Sequence, residues 1–273
     1  MFGTRRYQSK TASAFGLLER VFHATVRSLR ENHGHAVLGL IYNMLQTLIF
    51  IAAFFLLMTL MRQKSAPLRG DFLMFIMSGV FLFMVHVKAI GAVAGAAGST
   101  SGMMKHAPMN TMISISSAAL AALYIQMLTM VVILFFYDAF WVPVKVHDPI
   151  GALGMILMAW ISGIGIGMIL MAARPWNPRI IGVVSTVIMR ANMIASGKMF
   201  VANQLGFLGL YIFGWNPLYH TIDQARGFVF ENYSPKFTSL YYPIAFTFVL
   251  IVLGMMAEFF TRKAASASWG AGK

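Results

Sequence analysis

The sequence contains no cysteine and few charged residues. Without cysteine, the chain has no disulfide framework, no thiol nucleophile and no thiolate metal site. Charged residues make up 11% of its 273 residues, whereas soluble domains average about 25%. Hydrophobic residues make up 59%, whereas soluble domains average about 45–50%. A soluble fold of this length has too little interior to hide so much apolar surface. The composition therefore indicates an integral membrane protein, and it excludes low-complexity disorder and an ordinary soluble enzyme.

Acidic residues are also scarce, and the short motifs of nucleotide and hydrolytic chemistry are missing. Eight Asp and Glu stand against 21 Lys and Arg, an excess that in membrane proteins is typical of loops facing anionic lipid rather than of nucleic-acid binding. There is no G-x-x-x-x-G-K-[ST] loop, no H-E-x-x-H and no G-x-S-x-G. His33 and His35 fall on opposite sides of a helix, and the acids are scattered singly. We therefore expect no catalytic residue, no metal site and no cofactor in this chain.

Residues 1–34 are predicted to form a basic arm followed by an amphipathic helix. On a helical wheel, one side is apolar and carries Phe15, Leu17, Leu18, Val21, Phe22, Val26 and Leu29. The other side is basic and carries Arg20, His23, Arg27 and Arg30. This pattern is typical of a helix that lies flat among lipid headgroups. The alternative is a soluble helix that packs on a partner.

Residues 35–273 are predicted to form one transmembrane domain with six membrane-spanning helices. Each apolar stretch is long enough to cross about 30 Å of hydrocarbon as a helix. The stretches run over 36–60, 72–97, 112–136, 150–173, 180–201 and 241–260. With the N-terminus inside, the cytoplasmic segments hold twelve Lys and Arg and the outer loops hold six. This bias favours cytoplasmic placement of both termini.

The connection 202–240 is the longest, and its apolar pieces are too short to cross a bilayer. Asn216-Pro217 is predicted to start a new helix, with Asn216 as its cap and Pro217 as its first residue. Gly227 suits the end of that helix. We therefore expect two re-entrant half-helices that dip into the outer leaflet before the last span.

Three cations fall within the predicted spans, and no acidic residue lies deep in any of them. Lys88 is in the second span, Arg190 is near the middle of the fifth, and Lys198 is near the outer end of the fifth. An unpaired charge at this depth must face water or a partner. Arg190 is interpreted as facing an aqueous conduit for anionic groups, the alternative being a structural arginine that binds carbonyl groups. Lys88 fits either interpretation, whereas snorkelling to the surface is the simpler one for Lys198.

Aromatic residues make up 14% of the chain and mark the ends of most spans. Most such rings serve as an interfacial belt or as packing. Trp215 and Tyr219 are the rings assigned, with Lys88 and Arg190, to a substrate path, because apolar sugar faces stack on aromatic rings.

The short segment 98–111 after the second span is small and polar, and it is suited to present a short helix to a soluble partner. Its candidate coupling residues are Met104, Lys105, His106, Pro108 and Asn110.

With these parts in this order, the chain resembles the membrane subunit of type-2 ABC exporters, specifically the capsular and O-antigen polysaccharide export permeases. The local match is the stretch from Trp215 to His220, W-N-P-L-Y-H, which is similar to the family's W-N-P-L-x-H and is followed by Asp223 and Arg226. Lys88 and Arg190 fall where relatives carry basic residues.

The resemblance implies a homodimer in the bacterial inner membrane that binds a separate ATP-binding subunit, which holds ATP and Mg. The segment 98–111 and the N-terminal helix would carry the motion of that subunit into the membrane. A lipid-linked or otherwise acidic polysaccharide would move outward past a re-entrant gate. The gate residues would be Asn216, Pro217, His220, Asp223 and Arg226.

Three other functions remain open at this point. A type-2 exporter of a drug or a lipid would share the same architecture. A membrane-bound acyl or glycosyl transferase would need a convergent acid/base pair near an interface, and none is visible in the sequence; loss of turnover on mutating Asp223 and His220 would support it. A scaffold without transport activity would have no ATPase partner.

Overall fold

The computed structural model describes residues 10–33, 36–60, 68, 70–96, 98 and 111–270. All of the regular secondary structure within those ranges is helical. In chain order, the helices are α1 (Lys10–His33), α2 (Ala36–Leu60), α3 (Phe72–Ala94), α4 (Thr111–Phe140), α5 (Pro149–Ala173), α6 (Pro178–Ala195), α7 (Phe207–Phe213), α8 (Pro217–Val229) and α9 (Tyr241–Gly270). A 3₁₀ turn, Ala202–Gln204, lies between α6 and α7.

Six of these helices, α2 to α6 and α9, are long and apolar enough to cross a membrane, which confirms the all-helical, six-span prediction. The helices run within a few residues of the predicted bounds at all but two ends: α6 ends at Ala195 rather than at 201, and α9 continues to Gly270 rather than ending at 260. The early end of α6 has a local cause. It is set by Ser196, which closes the last turn, and by Gly197, whose φ of 74° turns the chain away. A positive φ is accessible to glycine without a steric penalty.

Three of the span-length helices begin with a side-chain cap. Asp71 accepts a hydrogen bond from the Leu73 amide, Asp148 from the Ile150 and Gly151 amides, and Asn177 from the Ile180 amide. Proline is the first residue of α5 and α6, where a missing amide proton costs nothing. These caps explain why the helices begin at these residues.

Helix α3 lies at the centre and packs against α5, α4, α2 and α8. Its close contact with α5 depends on glycine, because a Cβ at Gly163 would lie 2.5 Å from the His86 carbonyl oxygen. At Gly167 a Cβ would lie 2.8 Å from the Cβ of Val93. Small residues let membrane helices approach closely in this way.

Helix α5 packs on α9 by the same device, since a Cβ at Gly254 would lie 2.7 Å from the Cβ of Met168. Two hydrogen bonds connect α9 to the end of α5 and to the turn between α5 and α6. The Trp176 indole Nε1 donates to Thr261 Oγ1 at 3.1 Å, and Thr261 Oγ1 donates to the Ala172 carbonyl at 2.9 Å.

Helix α1 lies against α4 and α2. On the side predicted to be apolar, Val21, Val26 and Leu29 are half-buried, whereas Phe15 and Phe22 are exposed. The helix therefore packs on its own chain and still presents large apolar side chains outward.

Candidate functional site

The candidate site is the α8 network, by which we mean Asn216, Tyr219, His220, Asp223 and Arg226 with their partners in residues 196–206. All five side chains are buried. The predicted start of α8 is confirmed, because Pro217 is its first residue and Asn216 Oδ1 accepts from the Leu218 amide at 2.9 Å. The Asn216 amide also donates to Asn192 Oδ1 at 2.9 Å and to the Ala195 carbonyl at 3.1 Å. One asparagine therefore caps α8 and fastens it to the end of α6.

Gly227 does not end α8, which continues to Val229. It is required for another reason, because a Cβ there would lie 2.7 Å from Cδ of Pro235. The expectation that Gly227 ends the helix is thus wrong by two residues.

Arg226 holds the chain that leaves α6. Its guanidinium donates to three carbonyls, those of Gly197 at 2.9 Å, Phe200 at 2.6 Å and Lys198 at 2.6 Å, and it lies 4.1 Å from the centre of the Phe75 ring. Burial lowers the pKa of Arg226 to about 10, and Asp223 acts in the opposite direction. The guanidinium is therefore charged at neutral pH, and its hydrogen bonds hold three backbone carbonyls in place.

Asp223 performs the matching task from the next turn of α8. Its Oδ1 accepts from the Ala202 amide at 3.1 Å and from the Tyr233 hydroxyl at 2.6 Å, and its Oδ2 accepts from the Thr238 hydroxyl at 2.9 Å. Burial and this hydrogen bond raise the pKa of Tyr233. Asp223 thus connects the chain on both sides of α8.

His220 bonds through both ring nitrogens. Nδ1 accepts from the Ser239 amide at 3.1 Å, so Nε2 carries the proton and donates to the Gly214 carbonyl at 2.7 Å. With the ring nitrogens of His220 and both oxygens of Asp223 occupied within the chain, these residues do not form the free acid/base pair that a transferase would need.

The two aromatic residues assigned to a path differ in exposure. Tyr219 is 1% exposed, and its ring packs against Gly197 and Phe200. Burial raises the pKa of its hydroxyl, which has no hydrogen-bond partner among the described residues. Trp215 is 59% exposed, and its carbonyl accepts from the Tyr242 hydroxyl at 2.6 Å. Within one copy of the chain, only Trp215 of the two presents its ring outward.

The three intramembrane cations lie in different surroundings. Lys88 is half-buried and donates to Gln46 Oε1 at 2.6 Å. Lys198 does not snorkel: it is buried, it donates to the Met193 carbonyl, and its Nζ lies 3.8 Å from the centre of the Phe83 ring. Arg190 is exposed and makes no hydrogen bond or ion pair with any described residue.

The predicted coupling residues Met104, Lys105, His106, Pro108 and Asn110 lie outside the described residues. They remain a prediction from the sequence.

Two further features were not anticipated from the sequence. Asn43 on α2 donates to Gln126 Oε1 and Thr129 Oγ1 on α4, both at 2.9 Å. A half-open cavity of about 380 Å³ lies beside Asp71, the α4–α5 loop and the end of α8. Polar residues at helical spacing in α2 and α4 were a signal for the first feature, whereas the cavity depends on how two loops meet.

The described residues contain no group of three or more His, Asp or Glu side chains that could hold a metal ion. No model of a known protein family matches the chain, and a search of curated proteins finds no relative.

Proposed function

We propose that this chain is the membrane subunit of a type-2 ABC exporter that moves a polysaccharide across the bacterial inner membrane. Two copies form the passage, and a separate ATP-binding subunit on the cytoplasmic side supplies the energy. The observation that carries the proposal is the arrangement around W-N-P-L-Y-H: it begins a short buried helix, a shorter helix precedes it, and both lie between the fifth and sixth span-length helices.

The placement in the membrane is part of the proposal. The Lys and Arg counts favour cytoplasmic placement of both termini. The exposure of Phe15 and Phe22 supports a position of α1 in the cytoplasmic headgroup region, with these rings toward lipid. Helices α7 and α8, of 7 and 13 residues, are too short to cross the bilayer. They enter the outer leaflet and return. The α8 network gives the backbone of residues 195–202 and of Gly214, which lies outside the helices or at their ends, internal hydrogen bonds that lipid cannot supply.

The exposure of α6 supports a dimer. Only 6% of its most apolar stretch is buried within one copy, and this helix carries the exposed Arg190. A face that includes an unpaired arginine is a poor match for hydrocarbon, so a second copy and the passage between the copies cover it.

The partner subunit is tested by co-expression. The chain should co-purify with a co-expressed Walker-motif ATPase from the same cells, for which a neighbouring reading frame is the first place to look, and ATP hydrolysis should require that ATPase. Replacing Lys105, Pro108 and Asn110 together should uncouple hydrolysis from export while the chain remains inserted, with Lys236→Gln in a loop on the other side as the control. Hydrolysis by the isolated chain, or unchanged export in the triple variant, would contradict the proposal.

The cargo is tested by deletion in the source cells. Loss of surface polysaccharide, restored by the wild-type chain, is the expected result. Normal polysaccharide with altered drug tolerance or lipid distribution would instead assign the chain to drug or lipid export.

A further inference from the structure

The cavity beside Asp71 lies where several helices begin or end. Asp71 directly precedes α3, Tyr137 lies in the last turn of α4, and Val229 is the last residue of α8. The volume of about 380 Å³ falls within the range of about 300–1,000 Å³ that is typical of small-molecule sites. We call this space the Asp71 cavity. It is large enough for a small ligand, and it lies at the ends of the span-length helices, where a membrane has its headgroups.

Two backbone hydrogen bonds join the walls of the Asp71 cavity. The His147 amide donates to the Val229 carbonyl at 3.2 Å, and the Asp148 amide donates to the Phe228 carbonyl at 2.7 Å. These bonds connect the α4–α5 loop to the end of α8, so the cavity is formed without a ligand. A preformed site binds at a lower cost, because no segment has to become ordered on binding.

Asp71 places a negative charge without a cationic partner in this cavity. Its side chain is half-buried, Oδ1 accepts from the Leu73 amide at 3.0 Å, and Oδ2 accepts from the Tyr137 hydroxyl. Both donors are neutral, and no ion pair joins Asp71 to a Lys, Arg or His among the described residues. Because a carboxylate has about four acceptor sites, each oxygen keeps one for a further donor. A half-buried carboxylate in these surroundings favours a positively charged ligand.

The rest of the lining indicates what else the ligand carries. Met74 and Phe230 are buried and apolar, and they suit a short carbon chain. Lys145 and Glu231 are exposed, and no ion pair joins them in the described part of the chain. Two carboxylates therefore stand against one Lys among the lining residues, so the ligand needs a positive group and has a cation available for one negative group.

We propose that the Asp71 cavity binds a primary ammonium group that is joined by a short carbon chain to a phosphate, as in the headgroup of phosphatidylethanolamine. The ammonium has three N–H donors for the open acceptor sites of Asp71, and Lys145 attracts the phosphate as a point charge. Phe140 and Trp141 are exposed and directly precede the lining residue Val142. Such aromatic residues are typical of the headgroup level, which favours a lipid over free phosphoethanolamine.

This inference concerns residues that the proposed function does not use. The cavity lies outside the α8 network and away from α6, so the ligand is separate from the transported molecule. The inference therefore holds or fails whether or not the chain exports a polysaccharide.

The test measures binding of short-chain lipids to the full chain in dodecyl maltoside by native mass spectrometry. The two main probes are dihexanoyl phosphatidylethanolamine and dihexanoyl phosphatidylcholine, which differ only in the methyl groups on nitrogen. We expect the ethanolamine lipid to bind at least about tenfold more tightly, because a methylated nitrogen has no N–H to donate to Asp71. This comparison uses the wild-type chain and requires no variant.

Asp71→Asn removes the charge and keeps the cap of α3, since Asn caps a helix as well as Asp does. It should weaken binding of the ethanolamine lipid roughly tenfold. Asp148→Asn is the matched control, because it makes the same change at the cap of α5, and Asp148 does not line the cavity. Lys145→Gln should weaken binding less than Asp71→Asn does, since an exposed cation contributes less.

Equal affinity for the ethanolamine and choline lipids would overturn the inference. Wild-type affinity in Asp71→Asn would also overturn it, and so would equal affinity for dihexanoyl phosphatidylglycerol, which has a phosphate and no ammonium. Free phosphoethanolamine distinguishes the two sources of the same chemistry. If it binds as tightly as the lipid, the ammonium–phosphate site is supported with a soluble ligand, and if it binds much more weakly, the site is supported with a lipid headgroup.

Discussion

Helices α3 and α6 are both apolar and both of membrane-spanning length, yet their surroundings are opposite. In its most apolar stretch, 78% of α3 is buried inside the chain, against 6% of α6. Helix α3 is surrounded by α2, α4, α5 and α8, whereas α6 has few neighbours beyond its last turn. The difference shows that apolar composition marks a span without showing what covers it: α3 is covered by its own chain, and α6 requires lipid or another molecule.

The largest expected effect comes from removing Arg226, which connects the chain that leaves α6 to Phe75 on α3. Arg226→Met leaves the carbonyls of Gly197, Lys198 and Phe200 without their donor and leaves Asp223 buried without a neighbouring cation. We expect a loss of at least about 3 kcal/mol in stability, measured as a lower midpoint of thermal unfolding in detergent. Lys236→Met, which removes an exposed cation nearby, should leave the midpoint unchanged. A variant as stable as the wild type would show that α6 is held by other contacts.

Glycine substitutions sharpen the comparison directly. Gly163→Leu forces a side chain against the His86 backbone, where α5 meets α3, and we expect a cost of about 1–3 kcal/mol from overpacking. At Gly182 on α6 a Cβ would meet nothing within 4 Å in its own chain, so Gly182→Leu should carry no overpacking cost, and its higher helix propensity should raise stability by up to about 1 kcal/mol. Both are measured in the same thermal unfolding assay. Equal costs at the two positions would mean that α6 is as enclosed as α3.

The smallest expected effect concerns pH. Burial lowers the pKa of His220, against opposing effects of the Gly214 carbonyl and Asp223. The unfolded chain then binds more protons than the folded one as pH falls through the ordinary histidine pKa, so stability present at pH 7 is lost toward pH 5. His220→Gln should flatten the dependence of the unfolding midpoint on pH. An unchanged pH dependence in His220→Gln would show that other groups cause the loss.

The spans and the start of α8 were predictable because each depends on a local signal. A long apolar run in a bilayer can form all of its backbone hydrogen bonds only as a helix. Asn216 and Pro217 supply the cap and the first residue of α8 at two adjacent positions. The early end of α6 also depends on a single nearby residue, Gly197. It was not predicted because a glycine in the sequence does not reveal whether its φ is positive.

The partners within the α8 network were not predictable from the sequence. Arg226 binds carbonyls 26 to 29 residues away, and no periodicity connects positions at that separation. Lys198 is buried because Phe54 and Phe83, on two other helices, cover its ammonium group, whereas its position near a helix end favours exposure. The residues assigned to a gate were correctly predicted to lie on one short helix or at its cap, but the contacts of that helix required the fold.

The hydrogen bond from Trp176 to Thr261 gives the molecule a built-in optical signal. Trp176 lies in the turn between α5 and α6 and is 70% exposed, so a movement that separates this turn from α9 would break the bond and change the surroundings of the indole ring. Indole fluorescence would shift in wavelength at that moment, so the rearrangement could be followed in real time without attaching a dye.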